Sequence, residues 1–245
     1  MTRQAVIVTG ASRGIGAAVA RLLGANGFPV VVNYAKNQSA AENVVGEIGH
    51  AIAIRGDAGR EADILRLFEA AEKESGVIGG LVNNAAVTGG FARVETVTAD
   101  AIERVLAVNV AGLMLCSREA VRRMSTKYGG HGGSIVNISS LVARTGGAGE
   151  WVHYAASKGA VNSFTVGLAR EVAEEGIRVN VVAPGLIDTD LHADNGAPDR
   201  MNRMAPTVPM KRAGTAKEVA EGVLWLLSEG ASYTTGSILE IGGGR

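Results

Sequence analysis

Tyr154 and Lys158 are the two residues of this sequence whose types and spacing are best suited to chemistry. They lie four residues apart in YAASKGAVNSF, and on a helix this spacing puts both side chains on one face. A free tyrosine has a pKa of about 10, but a fixed positive charge nearby favours the ionised phenol and lowers that pKa. The pair is therefore suited to act as a general acid and base.

A glycine-rich stretch near the N-terminus predicts a binding site for an anionic group. Gly10, Gly14 and Gly16 stand in VTGASRGIG, after a short apolar run and before a segment with helical periodicity. At a strand-to-helix turn, unpaired backbone N–H groups and the helix dipole point at the bound group. The turn predicts a site for a dinucleotide pyrophosphate, although its spacing differs from the commoner Gly-x-Gly-x-x-Gly.

The end of the predicted second strand indicates which dinucleotide binds. A cofactor with a free ribose 2′-hydroxyl favours an Asp or Glu there, and VVVNYAKNQ contains neither. Asn33, Tyr34 and Lys36 occupy this end instead, and Arg13 in the glycine turn can pair with a 2′-phosphate. The pattern favours NADP(H) over NAD(H). The alternative is that Arg13 and Lys36 are ordinary solvated surface charges.

The sequence contains no motif of a metal site, a reactive cysteine or a serine hydrolase. The histidines, at positions 50, 131, 153 and 192, lack metal-ligand spacing, so no metal site is predicted. Cys116 stands alone and is expected to be a buried thiol. No Gly-x-Ser-x-Gly segment indicates a hydrolase. The chemistry is expected to come from a nicotinamide, with the protein supplying orientation and the proton.

The elements that must position these residues alternate regularly along the chain. Short β-rich runs separated mostly by segments of helical length cover residues 4–9, 29–34, 51–56, 80–85, 133–139, 177–183 and 237–241. Seven strands joined by helical crossovers predict a parallel sheet covered by helices on both faces. No linker, repeat or low-complexity tract interrupts the alternation, so we predict an α/β protein with a single Rossmann-like doubly wound domain over residues 1–245.

Composition and charge favour a small-molecule partner. The 245 residues are 47% hydrophobic, and 24 basic side chains balance 24 acidic ones. Without a net positive charge there is no field to attract nucleic acid or an anionic membrane, and neither partner is expected. The apolar run at the N-terminus is too short for a signal peptide, and no 18-residue apolar segment occurs, so we expect a cytoplasmic protein.

Several further motifs occur in the order and spacing of one known family. They are NNAA at 83–86, Asn109 within VNVAG, ISS before YAASK, and APGLIDT at 183–189, all following TGASRGIG. Together they make the whole chain resemble the short-chain dehydrogenase/reductase family, in its single-domain branch. The resemblance implies an NADP(H)-dependent oxidoreductase that interconverts a carbonyl and a secondary alcohol.

The resemblance also assigns catalytic roles to four residues. It implies that Tyr154 gives a proton to, or takes one from, the substrate oxygen and that Ser140 hydrogen-bonds this oxygen. Lys158 would bind the nicotinamide ribose and lower the pKa of Tyr154, and Asn109 would anchor a water molecule in a proton relay.

The remaining motif positions are implied to bind the cofactor. Asp57 in RGDAG would meet the adenine amino group, Asn83 and Ala85 would support the adenosine half, and the segment from Pro184 would follow the nicotinamide. Beyond these residues and those named above in the glycine turn and the second strand, the resemblance implies six further cofactor contacts: Ser12, Ile15, Ala58, Gly185, Ile187 and Thr189. The alternative for Asp57 is a turn residue, and for Pro184 a strand terminator.

Two departures from the family pattern concern loops. Ala86 replaces the usual glycine of the NNAG motif, which is tolerated unless that backbone needs a positive φ. The segment LVARTGGAGEWVH, between the predicted serine and tyrosine, is about one residue longer than is common, which a surface loop accommodates at low cost. Glu150, Trp151 and His153 could therefore line the substrate pocket, or serve as a solvated acid, a packing residue and an exposed helix start.

Residues 188–210 lack strong apolar periodicity and are predicted to form a lid that governs substrate choice. Four charged or titratable side chains there hint at polar or charged substrates: His192, Asp194, Arg200 and Arg203.

Self-association is expected from a helix over residues 154–173. An apolar stripe of Val161, Phe164, Leu168 and Val172 faces the protein, and small or apolar residues occupy other faces. The resemblance adds that such a helix and the 101–124 segment build a homodimer or homotetramer; the alternative is a monomer.

Three alternative functions remain open. A 3-oxoacyl-carrier-protein reductase would need a basic docking face, to which Arg122, Arg123 and Lys127 could contribute, although Glu174 and Glu175 oppose it. A sugar dehydrogenase of the glucose type is a second alternative. A protein of a different class would sense NADP without catalysis, because one fold hosts many functions.

Overall fold

A seven-stranded sheet forms the centre of the molecule, of which the computed structural model describes residues 4–189 and 199–245. In chain order the strands are β1 (Ala5–Val8), β2 (Val30–Tyr34), β3 (Ala51–Arg55), β4 (Ile78–Asn83), β5 (Gly133–Ile138), β6 (Ile177–Pro184), β7 (Ile187–Asp188), β8 (Gly214–Thr215) and β9 (Ile238–Ile241). The sheet order is β3-β2-β1-β4-β5-β6-β9, and every neighbouring pair is parallel. The predicted parallel seven-stranded sheet is confirmed; β7 and β8, which were not predicted, pair separately.

Helices cover the sheet on both faces. They are α1 (Gly14–Ala25), α2 (Gln38–Ile48), α3 (Glu61–Ser75), α4 (Ala99–Leu106), α5 (Leu113–Met124), α6 (Val142–Thr145), α7 (Val152–Val172), α8 (Arg200–Met204) and α9 (Ala216–Leu227). A π-helical segment, Ala107–Gly112, joins α4 to α5. The helix predicted at 154–173 is present as α7, which begins two residues earlier, at Val152, and has Trp151 as its N-cap.

Two hydrophobic cores result from the alternation of side chains along each strand. Val6 and Val8 of β1 belong to one core, which also holds Leu23 of α1. Ile7, between them, points to the other core and packs with Phe68 of α3. This period of two, with apolar residues on both faces, is the expected signature of a strand in a doubly wound sheet. Cys116, as expected, is buried, and burial raises the pKa of its thiol to about 12.

The order of the sheet fixes where a ligand can bind. Chain connections run outward in opposite directions from β1 and β4, which are neighbours with Val8 paired to Val82. A crevice opens at the carboxyl ends of strands where the connections diverge in this way. The glycine turn after β1 and the segments after β4, β5 and β6 therefore meet at one edge.

A ladder of buried polar side chains fixes α7 to the sheet. Asn83 at the end of β4 donates through Nδ2 to Asn137 Oδ1 at 2.9 Å, and Asn137 Nδ2 donates to Thr165 Oγ1 at 2.8 Å. Thr165 Oγ1 in turn donates to the carbonyl oxygen of Val161. All three side chains of the ladder are almost completely excluded from solvent, so these hydrogen bonds have no water to replace them.

The predicted lid over residues 188–210 lies partly outside the described residues, which omit 190–198 and with them His192 and Asp194. Within its described part, Arg200–Met204 forms α8 and Ala205–Thr207 forms a turn of 3-10 helix. None of the helices in the described part of the chain is long and apolar enough to cross a membrane.

Asn137→Ala should lower the free energy of unfolding by about 2 to 3 kcal/mol, because Asn83 would keep a buried donor without its acceptor. Urea unfolding followed by circular dichroism measures the change. Asn43→Ala, at an exposed position of α2, is the matched control and should cost less than about 0.5 kcal/mol. Equal losses in the two variants would show that the ladder does not stabilise the fold.

Candidate active site

A cavity of about 980 Å³ lies at the carboxyl ends of the strands. It is bordered by the glycine turn at Gly10, by Asp57 after β3, by Ser140 after β5 and by Tyr154 on α7. A second opening, of about 1280 Å³, lies at the amino ends of the strands, around Gly79 and Arg178, and contains none of the predicted site residues. The smaller cavity is therefore the candidate active site.

Most of the predicted site residues line this cavity. On the cofactor side they are Gly10, Ser12, Arg13, Gly14, Ile15, Asn33, Lys36, Asp57, Ala58 and Ala85, and along the opposite wall Ser140, Tyr154, Lys158, Pro184, Gly185, Ile187 and Thr189. Four predicted residues do not line it: Gly16, Tyr34, Asn83 and Asn109.

The glycine turn has the shape that close approach of a bound group requires. Gly10 and Gly14 have φ of +61° and +56°, a region that other residues rarely adopt. A Cβ on Gly16 would lie 2.4 Å from Asn84 Nδ2, so this glycine serves packing inside the turn rather than contact with a ligand. Asn84, which sequence reasoning passed over in favour of Asn83, donates to the carbonyl oxygens of Thr9 and Gly10. No side chain caps α1, which leaves the N–H groups of its first turn suited to an anion.

The end of β2 combines one structural side chain with two exposed cations. Asn33 is buried; its Oδ1 accepts from the Gly10 N–H, and its Nδ2 donates to the Gly56 carbonyl oxygen at 3.0 Å. Arg13 and Lys36 line the cavity next to it. Tyr34, which was predicted to contact the cofactor, does not line the cavity. Its side chain is buried in the hydrophobic core, because alternate residues of a strand point to opposite faces.

Asp57 is held by a cation that the sequence did not reveal. Arg104 Nη2, on α4, donates to both carboxylate oxygens at 3.0 Å, and the Gly59 N–H donates to Oδ1 at 2.9 Å. Burial by itself would raise the pKa of Asp57, but the hydrogen bonds from Arg104 and Gly59 outweigh it and hold this pKa below its usual range. The carboxylate at the cavity wall is thus charged and fixed in orientation.

Ser140, Tyr154 and Lys158 meet at the opposite end of the cavity. Tyr154 is 8% exposed and lines the cavity together with Ser140, which is close enough to influence the phenol. Lys158 Nζ lies 5.6 Å from the centre of the Tyr154 ring and donates to the Ile138 carbonyl oxygen at 2.7 Å. The ammonium thus lies below the phenol ring and against the end of β5.

Burial has the largest influence on the pKa of Tyr154. It raises this pKa above its usual value, and the nearby Ser140 hydroxyl opposes the shift only in part. Burial also lowers the pKa of Lys158 to about 8. Desolvation is thus the largest influence on both groups, because it disfavours the charged form of each. The phenol is neutral and carries the proton that a carbonyl oxygen would accept.

Asn83 and Asn109 hold the structure around the site, and neither lines its cavity, so the roles implied for them stay predictions. Asn83 belongs to the polar ladder beneath α7. Asn109 lies in the π-helical segment, where Nδ2 donates to the Val87 carbonyl oxygen and to Ser157 Oγ, and Oδ1 accepts from the Val87 N–H. Both amide hydrogens are thus used within the protein, so the side chain has no donor for a relay water.

The two loop departures also have structural outcomes. Ala86 lines the cavity, and its φ is not positive, since Lys211 is the one described non-glycine residue with a positive φ. The backbone at Ala86 therefore does not require a glycine, and the expected tolerance is confirmed. Glu150 and Trp151 line the cavity, whereas His153 does not; its Nε2 lies 2.8 Å from the Thr88 carbonyl oxygen. Across residues 4–189 and 199–245, no three His, Cys, Asp or Glu side chains are grouped to hold a metal.

Replacing Lys158 by Met should reveal the lowered pKa of this residue. Between its folded value of about 8 and its ordinary value of 10.5, the unfolded chain binds more protons, so the contribution of Lys158 to the free energy of unfolding rises with pH. The difference in unfolding free energy, wild type minus Lys158→Met, should therefore increase between about pH 8 and 10, at no more than about 1.4 kcal/mol per pH unit. Denaturant unfolding at several pH values measures it. The raised pKa of Tyr154 acts above this range in both proteins, and a difference independent of pH would contradict the assignment.

Comparison with known proteins agrees with the observed fold. Residues 10–245 match a family model described as enoyl-(acyl carrier protein) reductase. An Escherichia coli oxidoreductase named YgfF is 48% identical over 243 residues, which cover 98% of each chain. The human protein named 3-oxoacyl-[acyl-carrier-protein] reductase is 39% identical over 238 residues, 97% of this chain and 95% of that one.

A solved structure gives the same result in three dimensions. A short-chain dehydrogenase from Burkholderia cenocepacia, crystallised in complex with NADP, superimposes with a TM-score of 0.91 at 32% identity, over 100% of this chain and 98% of that one. The chain is therefore an oxidoreductase of the short-chain dehydrogenase/reductase family, whose members act with a nicotinamide cofactor.

Proposed function

We propose that this protein uses NADP(H) to interconvert a carbonyl compound and a secondary alcohol. One observation carries the proposal: a neutral phenol near Ser140, with Lys158 beneath its ring, shares a cavity with an uncapped glycine turn. The turn suits the phosphates of a dinucleotide, and the phenol suits transfer of a proton to or from an oxygen.

The roles of the residues follow from their positions. A bound nicotinamide cofactor supplies the hydride for reduction or accepts it in oxidation. Ser140 holds the substrate oxygen beside Tyr154, whose O–H gives its proton to that oxygen as the carbonyl carbon gains the hydride. Lys158 binds the nicotinamide ribose, and its charge favours the tyrosinate that remains after the proton has left.

The cofactor site is proposed from the residues that fit it. The N–H groups at the start of α1 would hold the pyrophosphate, and Asp57, fixed by Arg104, would meet the adenine amino group. Arg13 and Lys36 would pair with a 2′-phosphate. The end of β2 has no carboxylate, the group that would accept a hydrogen bond from the free 2′-hydroxyl of NAD(H). The NADP in the complex of the Burkholderia cenocepacia relative supports this choice.

Asn109 is proposed to act as a positioning residue. It links the Val87 segment to Ser157, and Ser157 Oγ donates to the Tyr154 carbonyl oxygen at 2.7 Å. This chain of hydrogen bonds orients the first turn of α7, where the tyrosine lies.

Reduction of 3-oxoacyl groups on a carrier protein is the second candidate, favoured by the name of the human relative. The proposed basic docking face is weak in this chain, because buried Glu119 binds both Arg122 and Arg123, and Arg123 also pairs with Glu72. We therefore rank small carbonyl compounds above acyl carriers, with a glucose-type sugar as a further substrate to test.

Self-association is part of the proposal. The segment from α4 to α5 leaves Ile102, Leu106 and Met114 exposed, and α7 exposes Ala156 and Gly167. Burying such surfaces against a second copy would remove apolar area from water, so we propose a homodimer or homotetramer.

Tyr154→Phe should lower kcat/KM by about 10² to 10⁴-fold while NADPH still binds, because the ring stays and only the proton is lost. The assay follows the reduced cofactor by absorbance with ketones, 3-oxoacyl thioesters and sugars. Tyr128→Phe, at an exposed tyrosine, is the matched control. Equal turnover by wild type and Tyr154→Phe would exclude the assigned role, and NADPH binding without turnover of any substrate would favour the non-catalytic sensor.

The double variant Arg13→Ala/Lys36→Ala should weaken NADPH binding by about tenfold or more, because two charge-assisted contacts to the 2′-phosphate are lost. NADH, which lacks this phosphate, should bind within about threefold of its affinity for wild type. Fluorescence titration of each cofactor gives both dissociation constants, with the exposed Lys217→Ala as control. A parallel loss for NADPH and NADH would show that the two cations do not read the 2′-phosphate.

A further inference from the structure

A cluster of aromatic rings and a cation lies in the candidate active site beside Tyr154. Phe91 and Trp151 stack with ring centres 4.4 Å apart, and the Tyr154 ring meets Trp151 edge-on at 5.8 Å. The guanidinium carbon of Arg200, on α8, lies 4.9 Å from the centre of the Trp151 ring and 5.4 Å from that of Phe91. One indole ring thus separates a cation from the proposed proton donor.

The ion pair formed by this cation is asymmetric. Arg200 Nη1 donates to Glu150 Oε1 at 2.6 Å, but the Arg200 side chain is 7% exposed and that of Glu150 is 40% exposed. The carboxylate is therefore at the solvent edge of the cavity, where water weakens its field, while the cation is inside. The Arg245 side chain also lines this cavity, and its charge acts on Glu150.

Arg200 also has an unused hydrogen-bond donor. Its Nε is buried and has no hydrogen-bond partner, since Glu150 takes only Nη1. A guanidinium offers five N–H donors in a planar fork that matches a carboxylate, and a buried donor left unpaired is unfavourable. Stacking on Trp151 and Phe91 holds the largely buried guanidinium in place, and a charge-assisted hydrogen bond is strong at a buried position.

We propose that Arg200 is a specificity-determining residue and that the preferred substrate of the reduction is an oxo acid. The carboxylate of the oxo acid binds the Arg200 guanidinium beside Glu150, and the carbonyl oxygen of the oxo acid lies next to Ser140 and Tyr154. The carbonyl carbon gains a hydride from the reduced cofactor, its oxygen gains the proton of Tyr154, and the carboxylate is unchanged. This inference rests on the carbonyl reduction proposed above and adds the class of substrate.

The test compares each oxo acid with its methyl ester, which removes the charge and keeps the carbonyl. Suitable pairs are 4-oxopentanoate and phenylglyoxylate with their methyl esters, assayed with NADPH at fixed ionic strength. Wild type should favour the acid of the better pair by about tenfold or more in kcat/KM, and Arg200→Met should abolish this preference mainly by raising KM for the acid. Glu150→Gln should increase the preference, because it removes the competing carboxylate.

Arg203→Met is the matched control for a change of net charge. This arginine is exposed on the same helix, outside the cavity, and its loss should alter the acid-to-ester ratio by less than about threefold. Retained NADPH affinity and an unchanged thermal midpoint for Arg200→Met show that the variant is folded. If it unfolds, inhibition of ester reduction in wild type by benzoate against benzamide decides the question: benzoate should bind about tenfold more tightly.

Two negative results can be told apart. Equal kcat/KM for acids and esters, with equal inhibition by benzoate and benzamide, would overturn the oxo-acid inference and leave carbonyl reduction in place. NADPH binding without reduction of acids, esters or any neutral carbonyl compound would overturn the proposed function, and the substrate class with it.

Discussion

The polar ladder between Asn83, Asn137 and Thr165 is the interaction on which the active site depends. It joins the end of β4, the end of β5 and the middle of α7, and it lies where no water can replace its hydrogen bonds. Because α7 carries both Tyr154 and Lys158, the ladder fixes the height of these side chains above the sheet. Apolar packing alone would hold the helix against the strands, but it has no comparable directional preference along its axis.

Burial then determines the chemistry of the two side chains that the ladder positions. Removing the phenol and the ammonium from water disfavours the charged form of each, so the pKa of Tyr154 rises and that of Lys158 falls to about 8. A cofactor and substrate would change this balance by bringing polar atoms into the cavity. Burial therefore keeps the Tyr154 phenol protonated, which is the form that carbonyl reduction requires.

The sequence predicted those features that depend on local pattern. Short β-rich runs between segments of helical length located all seven strands of the main sheet, and motif spacing brought together Ser140, Tyr154 and Lys158, which line one cavity. Contacts between distant segments were not predictable: Arg104 binds Asp57 across 47 residues, and Arg200 binds Glu150 across 50. Tyr34 and Asn83 were assigned to the cofactor by position in the chain, but the direction of each side chain depends on the strand pleat and on its neighbours.

The two ends of the cavity differ in how their positive charges would bind an anionic group. At the cofactor end, Arg13 and Lys36 are exposed to solvent, so water and salt weaken their attraction for a phosphate. At the substrate end, Arg200 is enclosed by Trp151 and Phe91, and its attraction for an anion is stronger and more directional. A buried cation with an exposed counterion is expensive to maintain unless a ligand uses it, because desolvation of the guanidinium is only partly offset by Glu150. This asymmetry is the physical reason to look for a substrate that brings its own negative charge.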